Sequence, residues 1–392
     1  MNSIVDDLQL ALAGANRMTW FRSQMPIIRS LSEKYEKEQT FKGKTIAICM
    51  HVEPKTAYWI EGLLAGGADH IYLVGCLGTT KADTAAYLAS LDRVTVFAKT
   101  QDTMEDHQVY LEKALGEKPH LLLDNGASLT LAYHSKDRDW VPEGCNEETR
   151  SGKLLIEDAK IAPAFPIIVI DDSPLKQLLE NAIGVGQSVV DGFMRNTSLL
   201  VGGKHILVIG YGWCGSGIAK KFQGLGASTM VYDIDPVFQL KAKAEGHQVG
   251  VLEDLLPRAD VVITVTGRFD VINASHISFF KEGVILANSG HYGLEINTQD
   301  LKDQAQSVET VKAGVDMLTY GDKSIFLLQD ASPLNLSAGD GNPIEIMDLG
   351  LGLQSASAER LLVDPDSLKR GLQAVPEDIN RSISLLSLEA MA

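Results

Sequence analysis

The sequence predicts an α/β protein of two domains, each resting on a largely parallel sheet with helices on both faces. Three observations lead there. At 392 residues the chain exceeds what one hydrophobic core ordinarily serves. Short, nearly continuous apolar runs alternate with helical segments along most of its length, as in parallel strands covered on both sides. One of those runs also leads into a glycine-spaced turn, a helix and a second strand.

Taken in order, residues 1–40 read as amphipathic helix, with Ile4, Leu8, Leu12, Ile27, Ile28 and Leu31 at helical spacings. Strand signals follow at Thr45–Met50, His70–Gly75, Val94–Ala98, His120–Asp124 and Pro166–Asp171. In a parallel sheet, ligand groups gather just past the carboxyl ends of the strands. That rule marks His51, Cys76–Thr80 and Asp124–Asn125 as pocket positions. Ser173–Lys204 is a long helical connection in which Gly184 and Gly186 suit either a hinge or a helix break. Later strands are expected at Val261–Gly267, Gly283–Gly290, Val308–Gly314 and Ser324–Asp330, with the small polar residues of TVTG and ANSG, Thr266 and Asn288 among them, on the ligand edge. A glycine-rich stretch from Asn335 precedes a helix from about Ile344 through Leu361, and the tail beyond Val363 is polar, helical or partly mobile. The predicted division is 1–185, completed by 345–392 crossing back, and 186–344.

HILVIG (His205–Gly210) is a buried strand, and Gly210, Gly212 and Gly215 form G-x-G-x-x-G at its end. Gly210 permits the tight turn, Gly212 lets backbone approach a pyrophosphate, and Gly215 lets helix pack on strand. The helix through Ile218, Ala219, Phe222 and Leu225 offers its N-terminal amides to phosphates. Asp233 ends the next strand, 23 residues after Gly210, where a carboxylate accepts from a ribose 2′-hydroxyl and repels a 2′-phosphate. The stretch predicts a Rossmann domain that holds NAD in preference to NADP.

Composition narrows the rest. A net charge of −16 argues against a nucleic-acid partner, and 45% hydrophobic with 22% charged residues describes a soluble globular protein. No apolar run reaches the roughly 18 residues that span a bilayer, and the acidic start MNSIVDDLQLAL lacks the positive region of a secretion signal. Cys49, Cys76, Cys145 and Cys214 lack C-x-x-C spacing, which argues against a thiolate metal site and for a reducing cytoplasm. No metal is expected.

The chain also resembles the adenosylhomocysteinase family. MHVEPKTA, LLLDNGASLT, NEETRSG and SVVDGFMRNTSLLVGGK carry the likeness in the first half; GYGWCGSGIAKKFQGLGA with YDIDP, TVTG, ANSGHYGLEI and NLSAGDGNP carry it in the second. The resemblance is colinear over roughly residues 40–360. It implies a substrate domain, a domain with tightly held NAD, a hinge between them and a homo-oligomer (dimer or tetramer), although the family's lysine–tyrosine tail is missing. It also implies a reaction: transient oxidation of a ribose 3′-hydroxyl, which acidifies the adjacent C4′–H, loss of a leaving group by elimination, addition of water and return of the hydride.

Several family positions are kept. By the resemblance His51 and Thr56 belong to the substrate domain, Glu148 and Thr149 touch ribose and cofactor, and Asn181 lies beside the hinge. His291 lies by the nicotinamide and Asn335 holds its carboxamide. Others depart. Met194 and Ser198 stand where the family has a lysine and an aspartate on the 3′-hydroxyl, and Asn125 replaces an aspartate acid/base. Asn342 replaces a histidine that contacts the base. Lys55 replaces a glutamate that recognises the adenine amino group, a donor in place of an acceptor. Loss of a cation and a carboxylate removes a proton acceptor and the electrostatics that favour oxidation.

These departures point to an NAD-dependent enzyme of this family with an altered substrate or outcome: oxidation of a hydroxyl on a nucleoside-like or sugar-containing substrate, elimination of water or a thiol, and re-reduction, with or without hydration. Standard S-adenosylhomocysteine hydrolysis is the lesser expectation. His51 and His291 remain for proton transfer; Glu148 and Asn181 position hydroxyls, while Asn125 and Ser198 hydrogen-bond without abstracting. Lys55 suits an anionic or carbonyl group. Two other classes stay open: a non-catalytic NAD-binding sensor or scaffold, and a 2-hydroxyacid dehydrogenase with Arg268 as its carboxylate clamp.

Overall fold

The structure, a computed structural model, describes residues 2–290 and 294–391. Its contacts divide into two compact units, Met1–Gln177 with Ile344–Ala392, and Leu178–Pro343. His291 falls outside the described residues.

The first unit is built on β1 (Thr45–Met50), β2 (His70–Gly75), β3 (Val94–Phe97), β4 (Leu121–Asp124), β5 (Gly144–Glu147) and β6 (Pro166–Val169), joined by β15 (Gly371–Ala374). All pair in parallel in the order β15-β6-β5-β4-β1-β2-β3. The apolar runs are buried on both faces, as continuous Val/Ile/Leu strands require. The sequence reading lacks β5, because GCNE carries an amide and an acid, yet every residue of it is buried. Hydrogen bonds offset part of the cost of burial: Asn146 Nδ2 donates to the Gln354 carbonyl at 3.0 Å. The tail is likewise more ordered than its polarity suggests, adding β15 and a helix, Glu377–Met391.

At the N-terminus the helical reading needs correction. Ile4 is a single bridge residue on Phe97, and Leu8 and Leu12 face solvent. The helix Ala11–Gln24 buries Gly14, Met18 and Phe21 instead. A Cβ on Gly14 would come 2.2 Å from the Asp83 carbonyl, so the missing side chain permits that contact. The helix Pro26–Glu38 buries Ile27, Ile28 and Leu31 as expected. The amides of Ile27 and Ile28 both donate to Asp348, at 2.8 Å each, on the returning helix Ile344–Val363. Trp59 Nε1 donates to Ser355 Oγ of the same helix at 2.8 Å.

The second unit carries β7 (His205–Ile209), β8 (Ser228–Tyr232), β9 (Gln248–Val249), β10 (Val261–Thr264), β11 (Val284–Asn288), β12 (Ser307–Lys312), β13 (Val315–Tyr320) and β14 (Lys323–Leu328). Their order is β12-β13-β14-β11-β10-β7-β8-β9, parallel except for the antiparallel meander β12-β13-β14. Gly314 and Gly321, at φ +71° and +65°, turn that meander. Apolar clusters cover both faces of the sheet.

Neither Gly184 nor Gly186 breaks the connection between strands. Residues Lys176–Gly184 form a π-helix that runs directly into the α-helix Val185–Thr197. A Cβ on Gly186 would lie 2.6 Å from the Gly217 carbonyl, and one on Gly217 would lie 2.3 Å from the Ala182 carbonyl. Glycine serves close helix packing here.

Candidate active site

The order in which strands are added reverses about β1 in the first sheet: β2 and β3 lie to one side and β4, β5, β6 to the other. Such a switch point opens a crevice at the carboxyl ends of the flanking strands. His51 leaves β1 there, Asn125 leaves β4 and Glu148 leaves β5.

Two acid-bearing pairs, Asp124-Asn125 and Glu147-Glu148, divide their labour. Asp124 accepts the amides of Asn125, Leu129 and Thr130 at 2.8–3.0 Å, fixing the turn into the helix Ser128–His134. Glu147 accepts the amides of Gly126, Ala127 and Thr149 and the Thr149 hydroxyl at 2.6–2.9 Å. Burial pushes Glu147 up to about 7, against those hydrogen bonds, and raises Asp124 well above the carboxylate range, with Glu147 adding to the effect. Both are structural. Thr149 is committed as well: besides donating to Glu147, it caps the helix Arg150–Asp158 by accepting from the Gly152 amide at 2.9 Å.

The second member of each pair builds the site. Asn125 Nδ2 donates to Glu148 Oε2 at 2.5 Å, and Lys176 Nζ lies 2.9 Å from Glu148 Oε1. All three side chains are buried, and Asn125 Oδ1 has no hydrogen-bond partner among the described residues. His51 Nδ1 lies 2.8 Å from Thr79 Oγ1, whose hydroxyl donates to the Cys76 carbonyl at 3.0 Å. Thr79 has therefore spent its proton, so His51 donates from Nδ1 and carries its basic lone pair on Nε2. Burial lowers His51 to about 4; Glu148 opposes that shift and Lys176 adds to it. The imidazole is neutral at ordinary pH.

At the start of the helix Pro54–Ala65, Lys55 is 1% exposed, so it is not a surface lysine. Its Nζ lies 3.0 Å from Glu53 Oε2, and Glu53 caps the helix through the Lys55 amide at 3.2 Å. Thr56 is buried beside them.

In the second sheet the reversal falls at β7, with β8 and β9 on one side and β10, β11 and β14 on the other. The glycine turn occupies this point. Gly210 sits at φ +99°, and a Cβ on Gly215 would meet the Gly210 carbonyl at 2.0 Å. At Gly212 a Cβ would meet nothing within 4 Å, which leaves the open space a pyrophosphate needs at the N-terminus of the helix Trp213–Gly224. Asp233 accepts the Tyr211 amide at 2.6 Å and the Asp235 amide at 2.9 Å, tying the end of β8 to the turn. The residues fit NAD.

Further along the same edge, Glu295 accepts the Thr266 amide and hydroxyl at 2.8 and 2.9 Å. Asn288 Oδ1 accepts from Thr264 Oγ1 at 3.0 Å, and its Nδ2 donates to the Ala331 carbonyl at 2.9 Å. Asn335 Nδ2 reaches Ser188 Oγ at 3.3 Å, Ser188 donates to Asn342 Oδ1 at 2.8 Å, and Asn342 Nδ2 reaches Glu180 at 3.3 Å. Asn181 lies half-buried in the π-helix, while Met194 and Ser198 are exposed on and after the helix that follows it. Sequence reasoning missed Lys176, Glu53, Ser188 and Glu295, while Thr79 lies in the marked stretch Cys76–Thr80; a lysine in LKQLLEN carries the signal of a solvated helix face, and only its burial singles it out.

Comparison with known proteins adds a family. Residues 2–210 match the family model described as S-adenosyl-L-homocysteine hydrolase, and residues 181–341 match that of its NAD-binding domain. The S-inosyl-L-homocysteine hydrolase of Methanocaldococcus jannaschii is 36% identical, over 99% of this chain and 94% of its own. The enzyme of the same name from Methanopyrus kandleri is 34% identical over 99% and 92%. The adenosylhomocysteinase of Pyrococcus abyssi is 34% identical over 99% and 93%.

Proposed function

The chain belongs to the S-adenosyl-L-homocysteine hydrolase family, and from that premise we propose that it hydrolyses the thioether of a nucleosidyl-homocysteine whose base carries a 6-oxo group, as in S-inosyl-L-homocysteine. The observation that carries the reading is the buried Lys55–Glu53 pair. A 6-oxopurine presents an acceptor at O6 and a donor at N1–H, whereas adenine presents a donor at its amino group and an acceptor at N1. Lys55 stands where the family's acceptor for the amino group is expected, so an ammonium there suits O6 and the adjoining carboxylate suits N1–H. A 6-amino group against that ammonium would leave buried polar atoms unpaired, the mismatch that sites reject most strongly.

Supporting roles follow for the other residues. Asn125 Oδ1 is a buried acceptor suited to a ribose hydroxyl, with Glu148 beside it. His51 is suited to take and return a proton at Nε2, its Nδ1 being held by Thr79. Gly210, Gly212, Gly215 and Asp233 would hold the pyrophosphate and ribose of NAD, with Asn335 toward the carboxamide. NAD, when bound, accepts a hydride from an alcohol carbon and gives it back. The names of the relatives favour hydrolysis over a net dehydration.

The test is homocysteine release from the inosyl and adenosyl thioethers by the NAD-loaded protein. The inosyl compound should be preferred by about 100-fold in kcat/KM, and K55E should erase most of that preference. Equal cleavage of both compounds would reject the base assignment; release from neither would reject the enzyme.

A further inference from the structure

Asp124 and Glu147 hold the loops that carry Asn125 and Glu148, and they do so under an electrostatic constraint. The two are direct partners across β4 and β5, so their side chains leave the same face of the sheet, and both are 0% exposed. Among the described residues, every hydrogen bond they receive comes from a backbone amide or the Thr149 hydroxyl, and no lysine, arginine or histidine pairs with either. The titratable groups around them bring no cation to the pair. Cys49 and Cys145 face the carboxylates, Cys76 stands beside Cys49, and His107 faces Cys49. Lys176 pairs with Glu148 instead.

Two carboxylates in such a place do not both ionise. Amide dipoles support one buried negative charge. A second, on the neighbouring strand and without a counter-ion, adds repulsion to the cost of leaving water. The backbone between them is already constrained. Ala127 sits in the left-handed region at φ +58°, with its amide and that of Gly126 donating to Glu147. A displacement of Glu147 therefore moves the turn from which Asn125 reaches Glu148.

We propose that Asp124 and Glu147 share a single proton at neutral pH, and that the singly charged pair keeps Asn125 on Glu148. Both are positioning residues, since they act on the substrate only through Asn125 and Glu148. The inference rests on the reading that those two serve the ribose. As pH rises the shared proton leaves and two charges face each other across β4 and β5. The Asn125–Glu148 contact then opens, and turnover falls on the alkaline side.

Infrared spectroscopy of the NAD-loaded protein tests the proton directly, because the C=O stretch of a protonated carboxyl is separate from the bands of carboxylates. At about pH 7, difference spectra of D124N and of E147Q against the parent should each show the loss of one protonated-carboxyl band, since either partner ionises once the other is neutral. If the band persists in either variant, or the parent has none, the shared proton is overturned. The parent also supplies a measurement independent of the variants. Its band should fade as pH rises, and kcat for homocysteine release should fall with it by about tenfold, with secondary structure retained. In the two variants kcat near neutral pH should be about tenfold lower, with the alkaline fall absent. If the parent's band and rate do not change together, the positioning role is overturned. A band that behaves as expected in a protein that cleaves neither thioether overturns the hydrolase reading and leaves the shared proton standing.

Discussion

Asn125 and Glu148 hold one another across the ends of two adjacent strands, β4 and β5, through an amide-to-carboxylate hydrogen bond of 2.5 Å. An aspartate at position 125 would set two carboxylates in that contact, and like charges so close cannot both ionise near neutrality. N125D should therefore lose about 100-fold in kcat near neutral pH and regain part of it in mild acid, whereas N125A should lose about tenfold with no recovery. A pH–rate profile of the two variants checks this; superimposable profiles would show that the contact does not govern Glu148.

His51 makes a prediction about stability. Its pKa is lowered from the ordinary 6.5 to about 4, chiefly by burial. The unfolded chain takes up a proton near pH 6.5 that the folded chain refuses, so a penalty is absent above that pH and grows as pH falls toward 4. Its full size is about 3 kcal/mol. Relative to H51N, the parent should lose melting temperature between pH 7 and pH 5, a window in which its imidazole stays in the base form. Parallel melting curves at both values would contradict the assignment.

Two glycines of the dinucleotide turn should respond differently. Open space surrounds a Cβ at Gly212, so G212A should fold normally and bind NAD about 10–100-fold more weakly. At Gly215 a Cβ collides with the Gly210 carbonyl, so G215A should melt several degrees earlier even without cofactor. Calorimetry of the two proteins with and without NAD separates the effects.

Most parallel strands could be read directly because apolar runs are what a doubly covered sheet demands; β1, β2 and β8 fall where the sequence places them. β5 could not, since Asn146 and Glu147 look like loop residues until their partners are known. Leu8 and Leu12 mislead for the opposite reason: helical period reports a face, and the buried face here is marked by Gly14, Met18 and Phe21. In the site, strand ends and family spacing made His51, Asn125 and Glu148 legible. Lys176 and Glu53 were not, because burial and pairing, which distinguish a buried charged residue from a solvated one, are properties of three dimensions.

The return of Ile344–Val363 and β15 to the first sheet makes that unit discontinuous along the chain. A ribosome would release the whole of Leu178–Pro343 before the amides of Ile27 and Ile28 meet Asp348, or β6 gains its outer neighbour. The later-encoded unit can thus complete its sheet while the earlier one still lacks two helices and an edge strand, and order of synthesis runs opposite to order of completion.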